Sequence, residues 1–220
     1  MLVADDVNDH RIRPEMTGVE STTPRVLAVL AFAMERLVAR NEGLVGESIG
    51  LMGKSLNVFH GVRAPSISIP KYLERIYKYT NCSPSCFVVG YVYIDRLVHK
   101  HPDSLVISLN VHRLLVTSVM VASKMLDDVH YNNAFYARVG GVSNAELNRL
   151  ELELLFMLDF GVVVSSRVFE SYCLYLEKEM LWNDAGQRME RAMVPNSVDE
   201  VTEISVDDTQ TSSSPPQMVD

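Results

Sequence analysis

Four charged side chains, Lys124, Asp127, Asp128 and Glu151, stand out as groups able to do polar chemistry, because they lie on or beside otherwise apolar stretches. Asp127 and Asp128 suggest paired carboxylates for acid–base work. Adjacent helical residues point about 100° apart, however, so this pair more readily ends a helix or faces the loop that follows. Cys82 and Cys86, with His99 and His101 further along, suggest zinc. A zinc site needs four converging ligands, usually at tighter spacing, and a thiol that opens an apolar helix packs as a small hydrophobe. The segment GESIGLMGKS (46–55) ends in the Gly-Lys-Ser of a phosphate-binding loop. That loop also needs glycine five positions before Gly53, where Ser48 stands, and a strand before it, which is missing. No Ser–His–Asp or Cys–His set has a supporting local motif. No catalytic site, cofactor or metal is therefore expected from these motifs, and Lys124 and Glu151 are left needing an explanation.

The elements that position them are helical. Val111–Asp128 (VHRLLVTSVMVASKMLDD) is apolar almost all the way round, the signature of a helix buried among others;. Successive turns place Arg113, Thr117, Met120/Val121, Lys124 and Asp128 on one edge. Ser118 and Ala122 are small and admit a close neighbour. A capping box, Ser143-Asn-Ala-Glu146, starts a helix through Leu158;. Its core line is Leu147, Leu150, Leu154 and Met157, an adjacent line holds Asn148, Glu151 and Leu155, and Leu152 and Phe156 lie on a further face. One helix of a small domain rarely buries three faces internally, so part of this surface is expected to be covered by something else. On this reading Lys124 and Glu151 point into one patch with Leu155 and Phe160 around them. Periodicity alone favours a plain surface salt bridge, worth roughly 0–1 kcal/mol.

The rest of the chain supplies the frame. Residues 1–22 are polar and aperiodic and read as a disordered lead. Thr23 and Pro24 open an amphipathic helix to Asn41, with Val26, Leu27, Leu30, Met34, Leu37 and Val38 on its apolar face;. Residues 42–67, rich in Gly and Ser, read as a flexible connector. Ser68 and Pro70 open a helix, Ile69–Tyr79. Ser83 and Pro84 open a helix that ends before Pro102, in which Gly90 allows close helix approach. Asn110 caps the central helix, and Asn132–Val139 forms a short segment ended by Gly140-Gly141. Ser165 or Ser166 caps a last helix, Val168–Leu181. Residues 183–220 read as an acidic disordered tail. The fold expected is all-α: a five-helix box over 68–161, an N-terminal helix with its linker over 23–67, and a C-terminal flanking helix over 162–182.

Composition narrows the partners. The net charge is −8, and after Arg191 there is no Lys or Arg. No block of basic residues suggests a nucleic-acid or anionic-membrane footprint. The apolar runs are broken too early to span a bilayer, so no membrane insertion is expected. Three cysteines without a disulfide-framework spacing, and an acidic opening rather than a signal peptide, point to an intracellular setting, nucleus and/or cytoplasm;. Thr23-Pro24 and Ser214-Pro215 have the form of proline-directed phosphorylation sites.

YIDRL at Tyr93–Leu97, ASK at Ala122–Lys124 followed by Asp127-Asp128, and RLELELLFMLDF at Arg149–Phe160 resemble the cyclin box in order and spacing. NVHRLLVTSVMVASKMLDD, YNNAFYARVGG and the capping box are similar to the P-type or U-type cyclins of plants, relatives of the yeast phosphate-regulon cyclins. The resemblance covers roughly residues 24–181. It implies a regulatory subunit that binds and activates a cyclin-dependent protein kinase as a heterodimer, with a role in the cell cycle and cell division or in nutrient-linked regulation. It also implies that the box's third-helix lysine and fifth-helix glutamate, here Lys124 and Glu151, contact the kinase near its C-helix, with Met125, Leu155 and Phe160 lining the same contact. Asp95 falls on a structural position of the family. A second box is absent, as in single-box relatives, and the first-helix motif with which some cell-cycle cyclins dock substrates is not recognisable in ISIPKYLERI. The alternative reading is a cyclin-fold adaptor that binds transcription or membrane-associated partners without activating a kinase.

Overall fold

The computed structural model describes residues 23–47 and 55–193. Among them are seven α-helices and no strand: α1 (Arg25–Glu47), α2 (Ile69–Thr80), α3 (Pro84–Lys100), α4 (Val111–Leu126), α5 (Asn133–Gly140), α6 (Asn144–Met157) and α7 (Ser166–Met193). The lead, most of the GESIGLMGKS segment and residues 194–220 lie outside the described residues. The chain divides into two units, residues 1–183 and 184–220.

α4 is the centre because its sequence leaves it almost no wet face before its last turn. Val111, Leu114, Leu115, Val116, Val119, Met120, Val121 and Ala122 are all buried, as are His112, Thr117, Ser118 and Ser123. Each fully buried aliphatic side chain contributes about 1.5–3 kcal/mol relative to exposure. α3 packs most intimately on α4, with Gly90 as the point of closest approach. A Cβ built there would lie 3.2 Å from the Val119 nitrogen and 3.3 Å from the Ser118 carbonyl carbon. α1 covers α2 and α3 with Leu27, Leu30, Met34 and Val38, and α6 closes the core with Leu147, Leu150 and Leu154.

Several local expectations change. α4 stops at Leu126 rather than Asp128, because Asp127 leaves the helix with φ −93° and ψ 131°. Asn110 is the N-cap residue of α4 but makes no side-chain cap bond. Its amide instead holds the preceding loop, accepting from the Ile107 N–H at 2.9 Å and donating to the Leu105 carbonyl at 2.9 Å. The connector after α1 is not all loose chain: α1 runs on to Glu47, and a 3-10 turn, Ser55–Phe59, buries Leu56 and Phe59. α7 continues to Met193, so residues 183–193 are helix rather than tail.

Candidate interaction face

Lys124 and Glu151 meet. The Lys124 ammonium donates to Glu151 Oε1 at 2.6 Å, joining the last turn of α4 to the middle of α6. The other carboxylate oxygen accepts from Asn133 Nδ2 at 2.6 Å, and the same amide donates to Asn148 Oδ1 at 2.8 Å. Three helices therefore fix one carboxylate. The side chains keep 27% and 17% of their surface exposed, so the pair is half-buried rather than free in water. Asn133 was not readable as part of this group. Asn148 offered a clue, one helical turn before Glu151 on the same line.

The rest of the α4 edge is not one polar stripe. Arg113 is bonded to Glu146 at 2.7 Å, Thr117 donates back to the Arg113 carbonyl at 2.7 Å, and Met120 and Val121 are buried. Only half of the predicted capping box forms for that reason. Ser143 Oγ accepts from the Glu146 N–H at 3.1 Å, while the Glu146 carboxylate turns to Arg113 instead of returning to Ser143.

Large apolar side chains lie open on the same elements. Met125 and Leu126 end α4, Leu152 and Phe156 are on α6, and Phe160 follows in the turn; all five are exposed. Leu155, one turn beyond Glu151, is partly buried against the core. The Phe160 N–H donates to the Leu155 carbonyl at 2.8 Å, folding the turn back over the end of α6. The Phe156 and Phe160 rings meet edge to face at 5.4 Å. Scattered exposed apolar residues are ordinary; here Met125 and Leu152 flank the ion pair in sequence, and the Phe156 and Phe160 rings touch one another. Leu152 and Phe156 are exposed as well, although the sequence reading left them out of the site.

Phe160 is held in place by force of context. Asp159 and Phe160 have φ of 49° and 56°, a left-handed conformation that side chains rarely adopt;. The YIDRL motif supplies the restraint. Tyr93 donates to the Val162 carbonyl at 2.7 Å, and Arg96 Nη1 donates to the carbonyls of Gly161 at 2.7 Å and Val163 at 3.1 Å. Asp95 accepts from the Tyr172 hydroxyl at 2.6 Å, which docks α7 on α3. Lys100 pairs with Asp159 and reaches the Leu158 carbonyl at 3.3 Å. Burial pushes the Tyr93 hydroxyl up to about 12, so it remains a donor throughout the neutral range.

Asp127 has a different task from Lys124. Its Oδ2 accepts from the Ser83 N–H at 3.2 Å, the Cys86 thiol at 3.2 Å and the Ser123 hydroxyl at 3.3 Å. One carboxylate thus ends α4 and caps the first turn of α3, where the helix dipole favours a negative charge. Burial works against its charge, but the bonds from Ser83, Cys86 and Ser123 outweigh it and hold its pKa below the usual value. Hydrogen bonding to Cys82, then burial, push the Cys86 thiol far up, so it serves as a protonated donor. The candidate zinc residues do not converge. Cys82 and Cys86 lie at one end of α3, and His99 and His101 at the other, on the Asp95 and Met157 carbonyls. Among the described residues no three His, Cys, Asp or Glu side chains form a metal-holding group, and no helix is long and apolar enough to cross a membrane.

The sequence profile of the family described as Cyclin matches residues 25–162, from the first turn of α1 to the turn that carries Phe160. Cyclin-U1-1 of Arabidopsis thaliana is 72% identical over 187 residues, covering 84% of this chain and 88% of that protein. Cyclin-U4-1 of the same plant is 50% identical over 160 residues, covering 73% of this chain and 78% of its own. Cyclin-P3-1 of Oryza sativa subsp. japonica is 52% identical over 158 residues, covering 72% and 66%. With an all-helical box, its motifs and these relatives in agreement, this chain belongs to the cyclin family and is similar within it to the plant P- and U-type cyclins.

Proposed function

We propose that this chain is the regulatory subunit of a cyclin-dependent protein kinase, acting in the cell cycle or in nutrient-linked control, and that Lys124, Glu151, Met125, Leu155 and Phe160 form its kinase-binding face. The observation that carries the proposal is the Lys124–Glu151 pair, oriented by Asn133 and bordered by exposed apolar side chains. A solvated salt bridge needs no such border. The chain performs no chemistry itself. It binds one conformation of the kinase better than the other, and that difference in affinity shifts the population. An active kinase needs its β3 lysine paired with the C-helix glutamate, and Met125, Leu155 and Phe160 packed against that helix hold it inward. Lys124 and Glu151 add charge-assisted hydrogen bonds at its end.

The test is co-purification with candidate cyclin-dependent kinases, followed by a kinase assay. Lys124→Glu and Glu151→Lys are each expected to weaken binding by about 2–5 kcal/mol, since each leaves a charge unpaired in the complex. The double swap restores an ion pair within this chain and hence its folded stability, but presents reversed charges to the kinase and leaves binding weak. Unchanged binding and activity in the folded single variants would sink the assigned face. A kinase that is bound but remains inactive identifies the chain as an adaptor instead.

A further inference from the structure

A concave site lies about three turns along α4 from Lys124, roughly 16 Å away on the rise of the helix. It is a cavity of roughly 610 Å³ between the segment leading into α2, the N-terminal ends of α2 and α4, and the α5–α6 turn. Three arginines line it, Arg63, Arg75 and Arg113, and no Asp or Glu does. In a chain of net charge −8 this is an island of positive charge.

Arg63 and Arg75 have no ion-pair partner among the described residues, whereas the charge of Arg113 is already met by Glu146. Arg113 uses Nε on Glu146 at 2.7 Å, and no described residue takes a hydrogen bond from its Nη groups. Its Nη1 lies over Gly61, where an added Cβ would sit 2.3 Å from it, so the bare glycine backbone is what admits the guanidinium. Arg75 reaches the Arg138 carbonyl only at 3.5 Å, the limit of a hydrogen bond. Arg63 is exposed and has no ion-pair partner among the described residues. Guanidinium forks of this kind match doubly charged oxyanions, which accept several N–H bonds at once.

Size and wall chemistry select the form in which the anion arrives. A bare phosphate, about two or three waters at about 30 Å³ each, leaves most of the cavity empty. Beyond the arginines the wall is mixed: Ala64, Pro65, Ile67 and Val142 stand beside Ser66, Tyr72 and His112. A small anion reaches only the arginines and makes no use of the apolar part of that wall, whereas the residues flanking a phosphorylated side chain in a peptide can pack on Pro65, Ile67 and Val142 and hydrogen-bond to the rest. We infer that this pocket docks a phosphorylated segment of a partner protein, its phosphoryl group between Arg63, Arg75 and Arg113 and its flanking residues against Pro65, Ile67 and Val142. The inference stands on this pocket alone and does not depend on the kinase reading.

The test uses the full chain and an array of serine- and threonine-centred peptides of varied flanks, each made with and without the phosphate. Retention of the best phosphorylated peptides is expected to exceed that of their unphosphorylated counterparts at least tenfold. Arg63→Ala with Arg75→Ala, both exposed positions, is expected to remove at least tenfold of that retention while the melting curve stays in place. Gly61→Ala, which removes no charge but displaces Arg113, is expected to weaken the same peptides. Equal retention of the two peptide forms, or full retention by the folded double variant, overturns the proposal. So does pyrophosphate binding as tightly as the best phosphopeptide, which would mark a small-anion site instead.

Discussion

The Tyr93 hydroxyl donates to the Val162 carbonyl at 2.7 Å, so a residue in the middle of α3 fixes the backbone two residues beyond Phe160. A buried hydrogen bond of this kind contributes about 0.5–1.5 kcal/mol net. Tyr93→Phe is expected to lower stability by about that amount, read as a shift of the urea midpoint with an unchanged slope. If the turn bearing Phe160 belongs to the binding face, the same variant also weakens kinase binding, although Tyr93 is fully buried.

Phe160→Gly separates fold from function. Removing the Cβ relieves a left-handed conformation that costs roughly 1–2 kcal/mol for an L-residue. It also loses the edge contact with Phe156, worth about 0.5–1.5 kcal/mol beyond area. These terms nearly cancel, so the melting temperature is expected to stay within a few degrees of wild type. Kinase affinity is expected to fall at least tenfold by titration. A parallel loss of stability and affinity would mean that Phe160 is a structural residue.

Asp127 predicts a pH dependence with a definite sign. Its folded pKa lies below its ordinary value of 3.8. The contribution is thus fully present above about pH 4 and is lost as pH falls through the lower folded value. Asp127→Asn removes that dependence and weakens the cap on α3, at a cost of about 1 kcal/mol near neutrality. Urea midpoints measured from pH 7 to pH 3 should therefore converge for wild type and variant at the acid end. Parallel curves would remove Asp127 from the account.

Gly90→Ala sets propensity against packing. Alanine improves an α3 interior position by about 1 kcal/mol. Its Cβ, however, would meet the α4 backbone at 3.2–3.3 Å, and overpacking of a close helix pair typically costs about 1–3 kcal/mol;. Packing should win, for a net loss of about 1 kcal/mol on chemical denaturation. A gain in stability would mean that α3 and α4 separate without penalty.

What the sequence made legible, it did through local signals. α4 announced itself by its unbroken apolar circumference, and Lys124 and Glu151 by being charged on the lines that face one another. Asn133 stayed hidden because its role depends on α4, α5 and α6 meeting at Glu151. The Glu146 side chain was assigned to Ser143 by a four-residue pattern, whereas Arg113, a distant residue in sequence, offers it an opposite charge. The buried turn at Leu56 and Phe59 has too few apolar anchors to show a period. The last turns of α7 carry no clear apolar stripe, but they are rich in Glu, Met, Ala, Gln and Arg, which favour helix without one;.

The turn after α6 also bears on rates. Asp159 and Phe160 are locked into their unusual backbone by Lys100, Tyr93 and Arg96 before any partner arrives. On the proposed binding face, a kinase that meets Phe160 finds the turn beneath it already folded. The ordering entropy of this turn has been spent during folding, so that part of the encounter complex has little rearrangement to wait for. Variants that loosen the Tyr93 and Arg96 clamp should first appear as slower association, before any contact atom of the face has been removed.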